Sequence, residues 1–270
     1  MGSSLAHHQN EIPLTQVRRI QLEILDSIHA FCEEKGLRYA LAYGTLLGAV
    51  RHEGYIPWDD DIDIMMPRPD YDIFIRSYQS DENKVIDLAT SPVCVEMFAK
   101  ISRVGTYMED VYGRVLWGVN VDVFPIDGYP SKVSTVNQLF HLNGLIPVVC
   151  PFYQAVSKNK LIWFIKYIVK RVFHPSTPNV LALKESITAQ LREQSFEDSS
   201  CAGAYFGDAG LNEFMEKDIF CSFSSVKFEG GCYPAPLQYD SYLRNLYGEY
   251  MVLPPEEQRV LHHCYKYYSL

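Results

Sequence analysis

The stretch from Leu41 to Met66, LAYGTLLGAVRHEGYIPWDDDIDIMM, constrains this chain more than any other. Its residue types predict a short strand ending at Tyr43 and Gly44, a helix from Thr45 to about His52, and an acidic strand from Asp59 to Met66. Side chains alternate along a strand, so Asp59, Asp61 and Asp63 are expected on one face and Asp60, Ile62 and Ile64 on the other. Three carboxylates on one face repel one another unless something positive sits among them. Magnesium or manganese suits such a set, because hard divalent cations take oxygen ligands and bridge carboxylates to substrate phosphates. Thr45 is suited to cap the helix, and the backbone N–H groups at a helix N-terminus favour a phosphate beside the acidic strand.

Around this stretch the chain alternates. Ile20, Ile24, Ile28 and Phe31 recur every three to four residues and predict a helix over Leu14–Lys35, closed by Gly36. LRYALAYG then suits a buried strand. Pro67 and Pro69 end the acidic strand, and Tyr71, Phe74 and Tyr78 carry helical spacing. Strand candidates follow at 85–90, at 97–102 and in VNVDVFPIDGYP. In the last, Val119, Val121 and Val123 share one face and Asn120, Asp122 and Phe124 the other, with Pro125 ending the run. Asp122 thus brings a carboxylate from a separate strand, and Asp127 reads as a turn residue and the second choice as a ligand. The expected class is α/β (α+β), a small mixed sheet flanked by helices.

The formal net charge of −9 excludes a nucleic-acid backbone as the main partner, since such binding rests on Lys and Arg. Seven scattered cysteines with no C-x-x-C pair read as reduced thiols of a cytoplasmic protein. The N-terminus lacks the apolar core of a secretory signal. Residues 1–12 read as a leader, 13–130 as the catalytic core and 131–195 as a helical insertion. Residues 196–270, with a hairpin at IFCSFSSVKFEGG and a helix at LQYDSYLRNLYG stopped by Gly248, are expected to pack on the core as one compact unit. Within the insertion, GLIPVVCPFYQAV and LIWFIKYIVKRVF (144–173) fall short of the roughly 20 apolar residues of a spanning helix. They read as a buried helix pair or as an interfacial surface whose Lys166, Lys170 and Arg171 meet anionic headgroups.

The runs YGTLLGAVRHEGYIPWDDDIDI, VDVFPIDGYP and YPAP followed by YDSYLRNLYGEYMVLPPEEQR resemble the LicD family. This is a branch of the nucleotidyltransferase-fold superfamily that is similar to fukutin and fukutin-related protein in the catalytic core. The resemblance covers residues 14–128 and 227–263. It implies a nucleotidyltransferase-like core and transfer of a phospho-alcohol from a CDP-activated donor to a sugar hydroxyl, with CMP leaving. The alcohol phosphate is phosphocholine in the best-known members and ribitol phosphate in the fukutin relatives. By the same resemblance, Gly44 and Thr45 match a Gly-Ser donor-phosphate element, with threonine in place of serine. Asp61 and Asp63 match the metal pair, Asp122 the third carboxylate, and Asp59 extends the pair. Asp61, Asp63 and Asp122 are the expected catalytic residues, with Mg²⁺ or Mn²⁺ as cofactor.

Arg51 and Lys100 are further candidates for the donor phosphates, against a surface salt bridge and a snorkelling strand lysine. A choline quaternary ammonium needs aromatic faces; Tyr55 and Trp58 lie beside the carboxylates, with Trp117 next. His52 reads as structural. The expected partners are CDP-choline or a related CDP-alcohol and a glycan or lipid-linked glycan such as a teichoic-acid unit. The expected place is the cytoplasm, at the inner membrane face. Transfer of ribitol, glycerol or ethanolamine phosphate, true nucleotidyl transfer, and a non-catalytic binding module are the competing readings.

Overall fold

Helix α1 (Leu14–Lys35) follows Pro13 and ends where Gly36 takes the left-handed conformation at φ 65°, as its spacing predicts. The computed structural model describes residues 10–87, 89–91, 96–109, 115–129, 177–205, 207, 209–261 and 265–270, with 177–181 and 183 described by backbone alone. The chain divides into two units. The first comprises residues 1–86, 99–125 and 219–270, the second 87–98 and 126–218. Every candidate site residue but Asp127 belongs to the first.

In that unit, β2 (Ala40–Leu41) leads into α2 (Tyr43–His52), and β3 (Asp63–Pro67) into α3 (Arg68–Ser77). Next come β4 (Asn83–Ile86), β5 (Ala99–Arg103), β6 (Thr106–Glu109) and β7 (Asn120–Gly128). The strands run in the order β2-β3-β7-β5-β4. Val119, Val121 and Val123 are buried on one face of β7, with Ile24, Leu25 and Ile28 of α1 also in the core. The opposite face therefore carries Asn120, Asp122 and Phe124. The register sets Lys100 of β5 directly opposite Asp122, the cross-strand position at which opposite charges stabilise a pair.

A second sheet joins β1 (Glu11–Ile12) and β6 through β12 (Lys266–Ser269). The predicted hairpin forms as β10 (Phe223–Phe228) and β11 (Gly231–Pro236). Its two-residue turn, Glu229–Gly230, has positive φ at both positions, 49° and 83°, as the strand twist requires. Helix α5 (Tyr239–Tyr247) stops at Gly248.

In the second unit, helix α4 (Thr177–Glu193) is followed by β8 (Cys201–Gly203) and β9 (Met215–Glu216), and the end of β7 pairs with β8. Pro125 does not end β7. It sits between the last β5 partner, at Val123, and the first β8 partner, at Asp127, so its missing N–H interrupts neither ladder. Asp127 is accordingly a buried strand residue opposite Gly203 and not a turn residue.

Two further expectations are corrected. Strand β2 stops at Leu41 and the helix starts at Tyr43. The acidic strand starts at Asp63, so Asp59–Ile62 run as irregular backbone. The 144–173 segment lies outside the described residues. Among the described residues no helix is long and apolar enough to cross a membrane.

Candidate active site

Helix α1 holds the acidic segment by its backbone. Arg18 Nη2 donates to the carbonyl oxygens of Asp59 at 2.5 Å and Pro57 at 3.3 Å, and Gln21 Nε2 to that of Asp60 at 2.9 Å. Tyr55 in turn donates its hydroxyl to Gln21 Oε1 at 3.0 Å. Carbonyls bound to side chains of a helix are lost to a strand ladder, and aspartate is a poor strand former. The segment therefore turns where alternation was expected. Asp59, Asp60 and Asp61 each offer one carboxylate oxygen within 4.8 Å of the other two. Asp60, expected on the opposite face, joins the cluster.

The start of α2 fastens both ends of this segment. Tyr43, a non-glycine residue at φ 44°, enters the helix in the left-handed region, and such strain collects at functional sites. Gly44 follows, and a methyl group built on it would lie 2.5 Å from Asp59 Oδ2. Only glycine lets that carboxylate rest against the positive end of the helix. Thr45 does not cap α2; the N-cap is Ala42, without a side-chain bond. The Thr45 hydroxyl is buried and accepts the Asp63 backbone N–H at 2.8 Å, pinning the first residue of β3.

Strands β5 and β7 supply the rest. Lys100 Nζ is 2.6 Å from Asp122 Oδ2, and Asn120 Nδ2 donates to Asp122 Oδ1 at 2.5 Å. Burial, then the carboxylates of Asp61, Asp122 and Asp59, push the Asp63 carboxyl well above the ordinary carboxylate value, with Lys100 opposing. Asp61, Asp122 and Asp59 thus lie within electrostatic reach of Asp63, while the oxygens that approach within 4.8 Å of one another are those of Asp59, Asp60 and Asp61. From β12, Tyr267 borders the cluster: burial, then Asp60, Asp122 and Asp61, raise its phenol. The donors are all hard oxygens, of the kind that could hold a divalent Mg²⁺ or Mn²⁺; the three whose oxygens lie within 4.8 Å of one another are those of Asp59, Asp60 and Asp61.

The other candidates are placed as follows. Lys100 is buried in its pair with Asp122 and lies 5.3 Å from the Trp117 ring centre. Trp117 is buried, and its indole N–H has no acceptor among the described residues. The Tyr55 ring packs on Phe228 and lies under the Arg18 guanidinium at 4.7 Å. The Trp58 ring is approached by Arg51 at 6.0 Å and Arg259 at 5.6 Å. Each aromatic face named for choline thus already meets a protein cation, and a second cation there would meet like charge. His52 accepts from Arg51 Nε, and burial and the Arg51 charge lower its pKa.

With these positions in place, comparison with known proteins adds family. Residues 36–141 match the family model described as LicD/FKTN/FKRP, nucleotidyltransferase domain. The matched residues span Gly44 through Asp122, so every candidate carboxylate lies within them. Over 267 residues the chain is 28% identical to the lipopolysaccharide cholinephosphotransferase LicD of Haemophilus influenzae, covering 96% of this chain and 99% of that protein. An uncharacterized protein of Rickettsia typhi is 27% identical over 150 residues, 51% of this chain and 44% of that protein.

Around these carboxylates, sequence reasoning missed Arg18, Gln21, Asp60, Asn120, Tyr267 and Arg259. One signal was present. Gln21 stands in the apolar stripe of α1, between Val17 and Ile24, and a polar residue at a core position must find a buried partner.

Proposed function

We propose that this chain transfers phosphocholine from CDP-choline to a sugar hydroxyl of a lipid-linked cell-surface glycan. The observation that carries the reading is the carboxylate cluster of Asp59, Asp61, Asp63 and Asp122 within the residues that match the LicD family model. The near full-length similarity to a protein named as a lipopolysaccharide cholinephosphotransferase supports the choice of alcohol and acceptor class.

The acceptor oxygen attacks the phosphorus bearing choline, a P–O bond forms, the P–O bond to CMP breaks, and CMP leaves with the electron pair. A bound Mg²⁺ or Mn²⁺ would neutralise charge on the transferring oxygens and the leaving group. The protein's own residues orient the reaction. Arg18 and Gln21 hold the acidic segment, Thr45 holds Asp63, and Lys100 with Asn120 fixes both oxygens of Asp122. The acceptor hydroxyl gives its proton to a carboxylate of this cluster. Where the chain acts, at the inner membrane face or elsewhere in the cytoplasm, follows the location of its lipid-linked acceptor.

A panel of CDP-alcohols with Mg²⁺ or Mn²⁺, assayed for CMP release, tests the proposal. Release from CDP-choline that is lost in Asp61→Asn is the expected result. Release of pyrophosphate from a nucleoside triphosphate, with no CMP from any CDP-alcohol, would replace it with nucleotidyl transfer.

A further inference from the structure

Arg51 and Arg259 come from distant parts of the first unit's sequence and both approach one indole. Their guanidinium carbons lie 6.0 and 5.6 Å from the Trp58 ring centre. Each is held by its backbone neighbours. Arg51 Nη1 donates to the Tyr250 carbonyl at 2.9 Å and its Nε to His52 Nε2 at 3.0 Å, while Arg259 Nε donates to the Pro254 carbonyl at 2.8 Å. Their charges are not balanced as those of three other arginines are. Arg38, Arg103 and Arg244 each have a carboxylate oxygen within 2.9 Å. Among the described residues Arg51 pairs with no carboxylate. Arg259 reaches only Glu256, at 4.0 Å, whose side chain is 91% exposed, and an ion pair of that kind is worth almost nothing.

Two guanidiniums close enough to repel each other cost stability unless an anion joins them. Burial, then the charge of Arg259, lowers the proton affinity of Arg51, which places the second cation within electrostatic reach. The remaining Nη groups are planar forks, the donor shape that matches phosphate oxygens. Both guanidiniums border the Trp58 ring, and Trp58 immediately precedes Asp59 in the chain.

We infer that Arg51, Arg259 and Trp58 form a phosphate-binding site beside the carboxylate cluster, taking the diphosphate or phosphate group of a substrate. The site gives the C-terminal segment a direct role in binding, through Arg259. Its existence rests on the two guanidiniums alone; assigning its ligand to the nucleotide donor rests on the transfer reading above.

Calorimetric titration of the full chain with inorganic pyrophosphate and with CDP, in EDTA, isolates it, because the metal-free carboxylates repel anions and no turnover occurs. Arg51→Gln and Arg259→Gln, each checked for a wild-type melting profile, should weaken pyrophosphate binding about tenfold or more, as loss of a charge-assisted bond does. An equal loss for CDP assigns the site to the donor. A loss for pyrophosphate with CDP unchanged assigns it to a phosphate on another substrate. Undiminished pyrophosphate binding in both folded variants, or no binding by the wild type, overturns the site. Wild-type affinity must also fall as salt rises, and salt-insensitive binding overturns it independently of either variant.

Discussion

Gly44 shows how much a single missing side chain decides. The space that its Cβ would fill is taken by Asp59 Oδ2, 2.5 Å away, so Gly44→Ala must push the carboxylate off the helix N-terminus. The displaced group is the end of one side chain and not backbone, so the fold should survive while the site is misaligned by about an ångström. We expect transferase activity to fall about 10²-fold, the scale of an ångström's misplacement, with the melting temperature within a few degrees of wild type; unchanged activity would show that Asp59 does not need its seat on Gly44. Asp63 makes a different prediction. Its carboxyl is held above the ordinary range by burial and by Asp61, Asp122 and Asp59. Between the unfolded value, about 3.9, and the raised folded value, the folded chain keeps a proton that the unfolded chain has lost. Metal-free stability therefore falls as pH rises through that window. Asp63→Asn removes this dependence, so the metal-free variant should melt higher than wild type at neutral pH and less pH-dependently. Denaturation curves in EDTA from pH 4 upward would measure both effects, and a variant that melts lower at neutral pH would contradict the crowding of charge around Asp63.

At the scale of elements, α1 and α2 act as a clamp on the acidic segment. α1 binds carbonyls through Arg18 and Gln21, and α2 binds the two ends through Gly44 and Thr45. Gln21→Met keeps the length of the side chain but leaves the Asp60 carbonyl and the Tyr55 hydroxyl without their Gln21 partner. Losing a hydrogen-bond partner of a buried group costs about 1–3 kcal/mol, so the unfolding midpoint should drop in urea while activity falls together with it; a variant as stable and active as wild type would remove α1 from the site's support. This clamp also explains where the sequence could be read and where it could not. Helix α1, its Gly36 stop, the valine face of β7 and the β10–β11 hairpin follow from local periodicity and turn chemistry, and all were legible. The conformation of Asp59–Ile62 depends on side chains some forty positions earlier in the chain, and no local pattern encodes that. Alternation grouped Asp59, Asp61 and Asp63 as one face of a strand, whereas irregular backbone held by α1 brings oxygens of Asp59, Asp60 and Asp61 within 4.8 Å of one another. Lys100 opposite Asp122 is a matter of strand register, which appears only once β5 and β7 are paired.

For the whole molecule, the cluster gathers like charge in a chain already at net −9, and hydrogen bonds from α1 to its backbone hold it in place. Lys100 answers Asp122, but Asp59, Asp60 and Asp61 remain within 4.8 Å of one another. Such an arrangement stores unfavourable energy in the metal-free protein, and a cation that binds the folded state alone should release it. Stability should then rise with ligand concentration, by about 2.7 kcal/mol at one hundred times the dissociation constant. Mg²⁺ or Mn²⁺ should raise the melting temperature in a concentration-dependent way, EDTA should reverse the rise, and Asp61→Asn should abolish most of it without lowering the metal-free value. Because this readout requires neither donor nor acceptor, it separates the metal from the chemistry: a melting temperature indifferent to both cations in wild type would leave the carboxylates without their proposed partner, whichever CDP-alcohol the chain accepts.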